Sequence, residues 1–173
     1  NAGDNLSKAE IYFDETSSIT VPEMKSKLRR MKKVDLVVID YLGLMKSARS
    51  TENRVQEVSE ITRNLKIMAK ELKVPVIACA QLSRGTEQKG KSHKPALSDL
   101  RESGSIEQDA DIVLFLYRDT YYDSEKTDDE DRSDPNKAEC IVAKNRHGEP
   151  GTVKLQWVPQ YQTFADREWK RAE

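Results

Sequence analysis

Two polar residues stand directly after apolar runs that are typical of β-strands. Asp40 follows the run at 36–39, and Gln81 follows the run at 74–80. Because ligands of open α/β proteins bind beyond the carboxyl ends of the strands, both side chains could reach one ligand. A carboxylate there can orient the Mg²⁺ that bridges nucleotide phosphates, and an amide can hold a terminal phosphate or an attacking water. For Asp40 a turn cap is an equally good explanation, and for Gln81 alone an ordinary polar strand end is the better one.

Two further segments combine cations with small residues or with an extended backbone. The run at 99–111 contains Arg101 among acids and small residues, and small residues let a backbone approach a ligand closely. Lys144 and Arg146 are separated by one residue on an extended segment, so their side chains point the same way and could converge on one polyphosphate. The alternatives are a capped loop-to-helix transition for the first segment and a solvated hairpin end for the second. Composition does not decide the first case, and the hairpin end is preferred when the second is taken alone.

Zinc chemistry and serine-nucleophile chemistry are not expected from this sequence. His93 and His147 have no partners at zinc-ligand spacing, and no serine is set apart from the others as a nucleophile. Cys79 and Cys140 lie inside apolar runs. We interpret them as buried thiols in a reducing cytosol rather than as a disulfide or a metal site.

Charge is distributed unevenly along the chain, although the net charge is only −1. The segment 119–137 holds eight acids against three bases, and we expect a solvated, mobile acidic loop there. The segment 84–94 carries four Lys or Arg residues and one His against one acid, so a phosphate-binding surface would be expected on it.

No stretch approaches the roughly 20 apolar residues of a membrane span. The chain is therefore expected to form one soluble domain without a membrane partner.

The elements that must position these residues follow an α/β pattern. A capping-box spacing at Thr20 and Glu23 opens a helix to about Lys33, and apolar residues at every third or fourth position predict a helix from Val55 to Leu72. A short helical turn is expected near 97–101. The apolar runs predict buried strands of a mainly parallel sheet, the one at 36–39 covered on both faces, followed by an antiparallel hairpin with a type II turn at 149–151. The predicted strands are 11–13, 36–39, 74–80, 112–117, 139–143 and 152–158.

Taken together and in this order, these segments resemble the DnaB family of hexameric replicative DNA helicases. The resemblance extends from about Ile11 to Phe164, and its thirteen-residue loop motif is far more specific than a lone strand motif. The matching stretches are Leu36–Met45, which resembles the Walker B strand; Glu52–Ile61, the helix after it; Val74–Ala78 with Gln81–Arg84, the strand with the γ-phosphate-sensing Gln; Asp99–Asp111, the loop that tracks single-stranded DNA; and Lys144–Arg146 with Gly148 and Gly151, the arginine-finger segment.

The resemblance implies a nucleotide site that binds ATP and Mg²⁺. Asp40 would orient the Mg²⁺, and Gln81 would sense the γ-phosphate. Lys144 and Arg146 would reach into the nucleotide site of the adjacent subunit. There Arg146 would stabilise charge on the transferred phosphoryl group, an effect of about 10³–10⁵ in rate for arginine fingers.

The resemblance also implies a nucleic-acid contact that does not depend on base sequence. Arg101, Glu102 and Gly104 would lie along the backbone of single-stranded DNA in the central channel of a ring. Contacts of this kind are made to phosphates, so binding should weaken as salt is added.

Two features depart from the family pattern. No G-x-x-x-x-G-K-[ST] phosphate-binding loop occurs in the chain, and position 43 is Gly where the family commonly has Gln. Residues 1–173 are therefore expected to be a partial RecA-like P-loop ATPase core, from Walker B to the arginine-finger hairpin, whose N-terminal part with Walker A is missing. We expect negligible ATP hydrolysis by this chain alone. We also expect exposed core and sheet edge that favour instability or self-association.

The sequence thus predicts part of a cytoplasmic, ring-forming, ATP-dependent 5′-to-3′ replicative DNA helicase. The resemblance implies a hexameric homo-oligomer, with primase and a helicase loader as partners. A RecA-like ATPase of another branch is one alternative, and the run at 99–111 argues against it. A second alternative is a non-catalytic module that binds single-stranded DNA or another protein.

Overall fold

The computed structural model of the chain describes residues 7–49, 53–82, 94–118 and 136–167, with the backbone alone at 101–104. Helices and strands alternate in the first half of the chain, and strands follow one another in the second. Within the described residues, no helix is both long enough and apolar enough to cross a membrane. The elements are α1 (Val21–Arg30), β1 (Val37–Ile39), a 3₁₀ turn (Leu42–Leu44), α2 (Arg54–Leu72), β2 (Val76–Ala78), a 3₁₀ segment (Leu97–Ser103), α3 (Gly104–Asp109), β3 (Ile112–Arg118), β4 (Lys137–Asn145), β5 (Gly151–Val158), a 3₁₀ turn (Pro159–Tyr161) and β6 (Thr163–Asp166).

Helix α1 begins at the predicted capping box. The Thr20 side chain accepts a hydrogen bond from the Glu23 backbone amide, and the Glu23 carboxylate accepts one from the Thr20 amide at 2.9 Å. These reciprocal bonds satisfy two backbone donors that a helix start leaves without partners. The helix ends at Arg30, three residues before the predicted end.

Helix α2 confirms the predicted helix from Val55 to Leu72. Asn53 caps its start by accepting a hydrogen bond from the Val55 amide at 2.9 Å, and Lys73 ends it in the left-handed conformation. The predicted apolar face is the buried one, and it packs with residues of α1 and β1 in one hydrophobic cluster. The buried members of this cluster are Val21, Ile39, Leu42, Met45, Ile61, Leu65 and Met68.

Strands β1 and β2 form a parallel pair in the register Val37 to Val76 and Ile39 to Ala78. The predicted burial of β1 on both faces is wrong for the described part of the chain. Val38 and Ile77 pair across the strands and are 58% and 54% exposed, because the described helices cover only the opposite face. Cys79 is also exposed rather than buried, and Cys140 is half-buried.

Strands β3 to β6 form one antiparallel sheet in sequence order. The paired strands β4 and β5 confirm the predicted hairpin, and β3 and β6 extend it on either side. The prediction that β3 is a buried strand is wrong in half of its residues: Val113, Phe115 and Tyr117 are buried, whereas the residues between them are exposed. The α/β class is confirmed by the parallel pair and its helices, but the antiparallel part is larger than the predicted hairpin.

Two smaller predictions are corrected by backbone geometry. No described glycine has a positive φ, so the predicted type II turn, which requires one at Gly151, is wrong; Gly151 begins β5 instead. The predicted strand at 11–13 is not formed either. Its three side chains are exposed and no described strand pairs with it, so it lacks the ladder that would hold it extended.

A second hydrophobic cluster joins the antiparallel sheet to the segment before it. Leu100, Val113 and Phe115 are its buried members, and Leu82 and Ile106 pack against them. Ile106 of α3 also packs against the first cluster. The short helix α3 therefore lies between the two sheets.

Candidate functional site

The edge of the parallel pair brings the loops of Asp40 and Gln81 together. The Cys79 amide donates a hydrogen bond to the Ile39 carbonyl at 2.9 Å, and the Cys79 carbonyl accepts one from the Leu42 amide at 2.9 Å. Asp40 lies between these two bonds, and Gln81 lies two residues beyond Cys79. Parallel pairing thus places both residues at the same edge of the sheet, as strand order alone requires.

The carboxylate at this edge is available to a ligand. Asp40 is exposed, and its side chain makes no hydrogen bond or ion pair with the described residues; Gln81 is exposed as well. No group of three or more His, Cys, Asp or Glu residues with metal-binding geometry occurs in the described ranges. A lone exposed carboxylate fits Mg²⁺, which proteins often hold through one or two carboxylates while phosphates and water complete the octahedron.

Gly43 next to this edge lies against the ring of its neighbour Tyr41. A Cβ atom at position 43 would overlap the Tyr41 ring. Arg54 at the start of α2 donates to the Gly43 carbonyl at 3.1 Å and to Glu57 at 2.6 Å, which ties α2 to the loop after Asp40. A Gln at position 43 would therefore require the Tyr41 ring to move.

Lys144 and Arg146 converge, but on helix α3 of their own chain. Lys144 Nζ donates to the Glu107 carbonyl at 2.6 Å, and Arg146 Nη2 donates to the Gln108 carbonyl at 3.4 Å. Carbonyl groups in the last turn of a helix lack partners within the helix and carry its negative dipole end, so they attract cations. Both cations therefore contact the last turn of α3, and their convergence on one polyphosphate remains a prediction.

Asp111 is the acid that faces Arg146. The Arg146 backbone amide donates to the Asp111 carbonyl at 2.9 Å, and Arg146 Nε lies 3.3 Å from Asp111 Oδ1. The other carboxylate oxygen, Oδ2, forms an ion pair with Lys66 on α2. The pKa of the Asp111 carboxyl is lowered, chiefly by the hydrogen bond from Lys66, with the charges of Lys66, Arg146 and His147 adding to the effect.

Sequence reasoning missed this acid–base cluster. It placed Asp111 at the end of the DNA-contacting run and assigned nothing to Lys66. A second contact of the same kind lies beside it, because Thr62 Oγ1 donates to Asp109 Oδ2 at 2.7 Å. Thr62 and Lys66 are four residues apart on one face of α2, and the two acids are two residues apart. That matched spacing is compatible with the contact, but it does not select these partners from the sequence.

The predicted DNA-contacting residues lie on the backbone that leads into α3. Arg101 and Glu102 belong to the 3₁₀ segment and Gly104 begins α3; their side chains lie outside the described part of the structure. Leu100 on one side of them is only 6% exposed and Ile106 on the other packs against both clusters, so the backbone of this stretch is held at both ends.

The two charged segments fall mostly outside the described residues. Of the basic segment, 84–93 lie outside, while Lys94 forms an ion pair with Glu139 at 2.6 Å. Of the acidic segment, 119–135 lie outside, whereas Lys137 begins β4. The predicted acidic loop at 119–137 thus lies almost wholly outside the described residues, and Lys137 belongs to β4.

Comparison with known proteins gives the class of protein to which this arrangement belongs. The chain matches the DnaB-like helicase C terminal domain over residues 1–166. It is 52% identical over 168 residues to the replicative DNA helicase DnaB of Geobacillus stearothermophilus and equally identical to the replicative DNA helicase DnaC of Bacillus subtilis (strain 168). Each alignment covers 95% of this chain and 36% of the relative, so the chain spans about a third of the length of these relatives.

Solved structures agree with this match. A DnaB-like replicative helicase, studied with its interactions with primase, superposes with a TM-score of 0.83 at 43% identity, covering 96% of this chain and 39% of that one. A second solved structure, of an ATPase domain, gives the same TM-score and identity, covering 96% of this chain and 58% of that one. The fold, the family match and the likeness to these solved structures thus define a DnaB-like helicase domain. The chain belongs to the DnaB-like helicase C terminal domain family.

Proposed function

We propose that the protein containing this chain is an ATP-dependent replicative DNA helicase that unwinds duplex DNA by moving along single-stranded DNA as a ring. The observation that carries this proposal is the shared sheet edge of Asp40 and Gln81 in a chain of this family. The ring would be a hexamer of identical subunits acting in the cytoplasm.

Asp40 and Gln81 would serve the bound nucleotide. Asp40 would orient the Mg²⁺ of Mg·ATP, which neutralises charge between the phosphates, and Gln81 would contact the γ-phosphate or the attacking water. Their exposure supports these roles, because among the described residues no hydrogen bond or ion pair of Asp40 has to break before it binds.

Lys144 and Arg146 would act on the nucleotide of the adjacent subunit. Arg146 is 48% exposed in its side chain, so a neighbouring subunit can reach it. A guanidinium at a developing phosphoryl charge stabilises the transition state, and supplying it from a neighbour makes hydrolysis depend on assembly.

Arg101, Glu102 and Gly104 would line the path of single-stranded DNA. Their backbone leads directly into α3, whose last carbonyls hold Lys144 and Arg146. A shift of this segment along the DNA would therefore move the helix that contacts the interface cations. Primase and a helicase loader are the proposed protein partners, and the primase interaction of the DnaB-like relative supports the first of them.

ATP hydrolysis is the direct test of this proposal. In the full-length protein, Asp40→Asn should lower the kcat for ATP by about a hundredfold or more, because the amide binds Mg²⁺ poorly. Arg146→Ala should lower kcat by about 10³ or more, as expected for a lost arginine finger. The 173-residue chain alone should be inactive, since no phosphate-binding loop occurs in its sequence.

Matched controls separate the chemistry from general damage. Asp35→Asn removes a highly exposed acid just before β1, and Arg30→Ala removes an exposed cation at the end of α1; both should leave kcat within about twofold of wild type. Full-length protein that hydrolyses no ATP but binds single-stranded DNA in a salt-sensitive way would overturn the helicase proposal. It would favour the non-catalytic DNA-binding module.

A further inference from the structure

We propose that Asp111 is a positioning residue for Arg146, sharing its carboxylate between that arginine and Lys66 so that the guanidinium presents its outer edge to the adjacent subunit. The inference rests on the proposed role of Arg146. It adds a residue that does not touch nucleotide itself.

The contacts occupy one edge of the guanidinium. Nε faces Asp111 Oδ1 at 3.3 Å, and Nη2 donates to the Gln108 carbonyl at 3.4 Å. Nε and Nη2 form one side of the planar fork, while Nη1 and the second hydrogen of Nη2 form the other. Among the described residues, none accepts a hydrogen bond from Nη1. Nη1 and the second hydrogen of Nη2 therefore remain for a further acceptor, and two such donors match the geometry of a phosphate.

Lys66 and Arg146 share the Asp111 carboxylate, one oxygen each. A carboxylate with both oxygens available can bind a guanidinium through two parallel hydrogen bonds. Here Oδ2 pairs with Lys66, and Oδ1 lies 3.3 Å from Arg146 Nε. The guanidinium is oriented by one oxygen and a backbone carbonyl, and it stays free to bind a second acidic group.

The backbone fixes the same residues from the other direction. The Arg146 amide donates to the Asp111 carbonyl at 2.9 Å, just beyond the register of Ile112 with Asn145. Both the peptide and the side chain of Arg146 therefore contact Asp111, the residue directly before β3. Lys66 and Thr62 connect that residue and Asp109 to α2, whose first turn contacts the loop after Asp40.

The test is steady-state ATP hydrolysis by full-length protein carrying Asp111→Asn. The neutral amide loses the charge that holds Nε, so we expect kcat to fall by about tenfold through misplacement of the guanidinium. The KM for ATP should change less than about twofold, because Arg146 serves the neighbour's transition state rather than ground-state binding. Glu71→Gln is the matched control: Glu71 on α2 pairs with Lys25 and Arg29 in a similar lysine–acid–arginine group away from the site, and its loss should leave both constants unchanged.

A double variant shows whether Asp111 acts through Arg146. Asp111→Asn should slow the wild-type enzyme but should not slow Arg146→Ala any further, since no guanidinium remains to be positioned. An equal loss in both backgrounds, or no loss in either, overturns the positioning role. If Asp111→Asn fails to assemble, Asp111→Glu is the deciding variant, because it keeps the negative charge. We expect it to retain about a third or more of the wild-type kcat. A kcat as low as that of Arg146→Ala would overturn the proposal. An unchanged kcat in Arg146→Ala itself would instead overturn the arginine finger.

Discussion

Lys94 uses its charge inside the chain although its segment was predicted to face phosphates. Its ammonium group lies 2.6 Å from Glu139 Oε2 and 5.9 Å from the centre of the Tyr117 ring. Glu139 is buried at 8% exposure, so its carboxylate depends on this partner. At the residue scale, a charge pattern in the sequence therefore does not show which cations face solvent and which are paired. That depends on whether the fold places a buried acid beside the cation.

Removing the Lys94 ammonium group should lower the free energy of unfolding more than the loss of an exposed ion pair does. Lys94→Met should lower the free energy of unfolding by about 1–3 kcal/mol, because it leaves a buried carboxylate without its ion pair. Lys33→Met, which breaks an ion pair with Asp35 that is largely exposed on both sides, should cost less than about 0.5 kcal/mol. Urea unfolding of the two variants measures the difference, and equal losses would contradict this assignment.

Helices α1 and α2 were predicted well because their signals are local. The capping box of α1 and the apolar residues at every third or fourth position of α2 each lie within a short stretch of sequence. The meeting of Asp40 and Gln81 was also predictable, since parallel neighbours share an edge. By contrast, the pairing of β3 with β4 and the contact of Lys66 with Asp111 depend on residues far apart in sequence. A single sequence carries no pattern that selects those partners.

The capping box of α1 should make its stability depend on pH. Hydrogen bonds from the Thr20 amide and hydroxyl lower the pKa of Glu23 below its usual value. The stabilisation is therefore present above the unfolded pKa of about 4.3 and is lost as the pH falls through the lower folded pKa.

Two variants distinguish the titrating part of the box from the rest. Glu23→Ala should unfold at lower urea than wild type at neutral pH, and the gap should close as the solution is acidified. Thr20→Ala should cost about 0.5–2 kcal/mol at neutral pH and should retain part of that cost in acid, because a hydroxyl does not titrate there. A gap for Glu23→Ala that stays constant with pH would contradict the role given to its carboxylate.

On the scale of the whole molecule, the described chain covers its parallel pair on one face only. Val38 and Ile77 stand side by side on the other face, and Leu36 beside them is 48% exposed. Contiguous apolar surface of this kind favours association.

We therefore expect the 173-residue chain to self-associate through this face. Val38→Thr with Ile77→Thr should shift the chain toward monomer in sedimentation experiments at a fixed concentration, because it removes paired methyl groups from the contact while keeping β-branched side chains. Val153→Thr is the control, because Val153 is 53% exposed on a different sheet. This substitution should leave the distribution of monomer and oligomer unaltered. A sharp thermal transition of a dilute wild-type monomer would contradict the expectation.

Ile106 ties the two hydrophobic clusters into one cooperative unit. Its side chain packs against both, so neither cluster can open without taking contacts from the other. Subglobal opening of the antiparallel sheet would then loosen α2 as well, and amides in both regions would exchange with solvent at similar rates. A domain whose two clusters are coupled in this way should resist partial unfolding. A domain that moves repeatedly along a polymer under load would need that resistance.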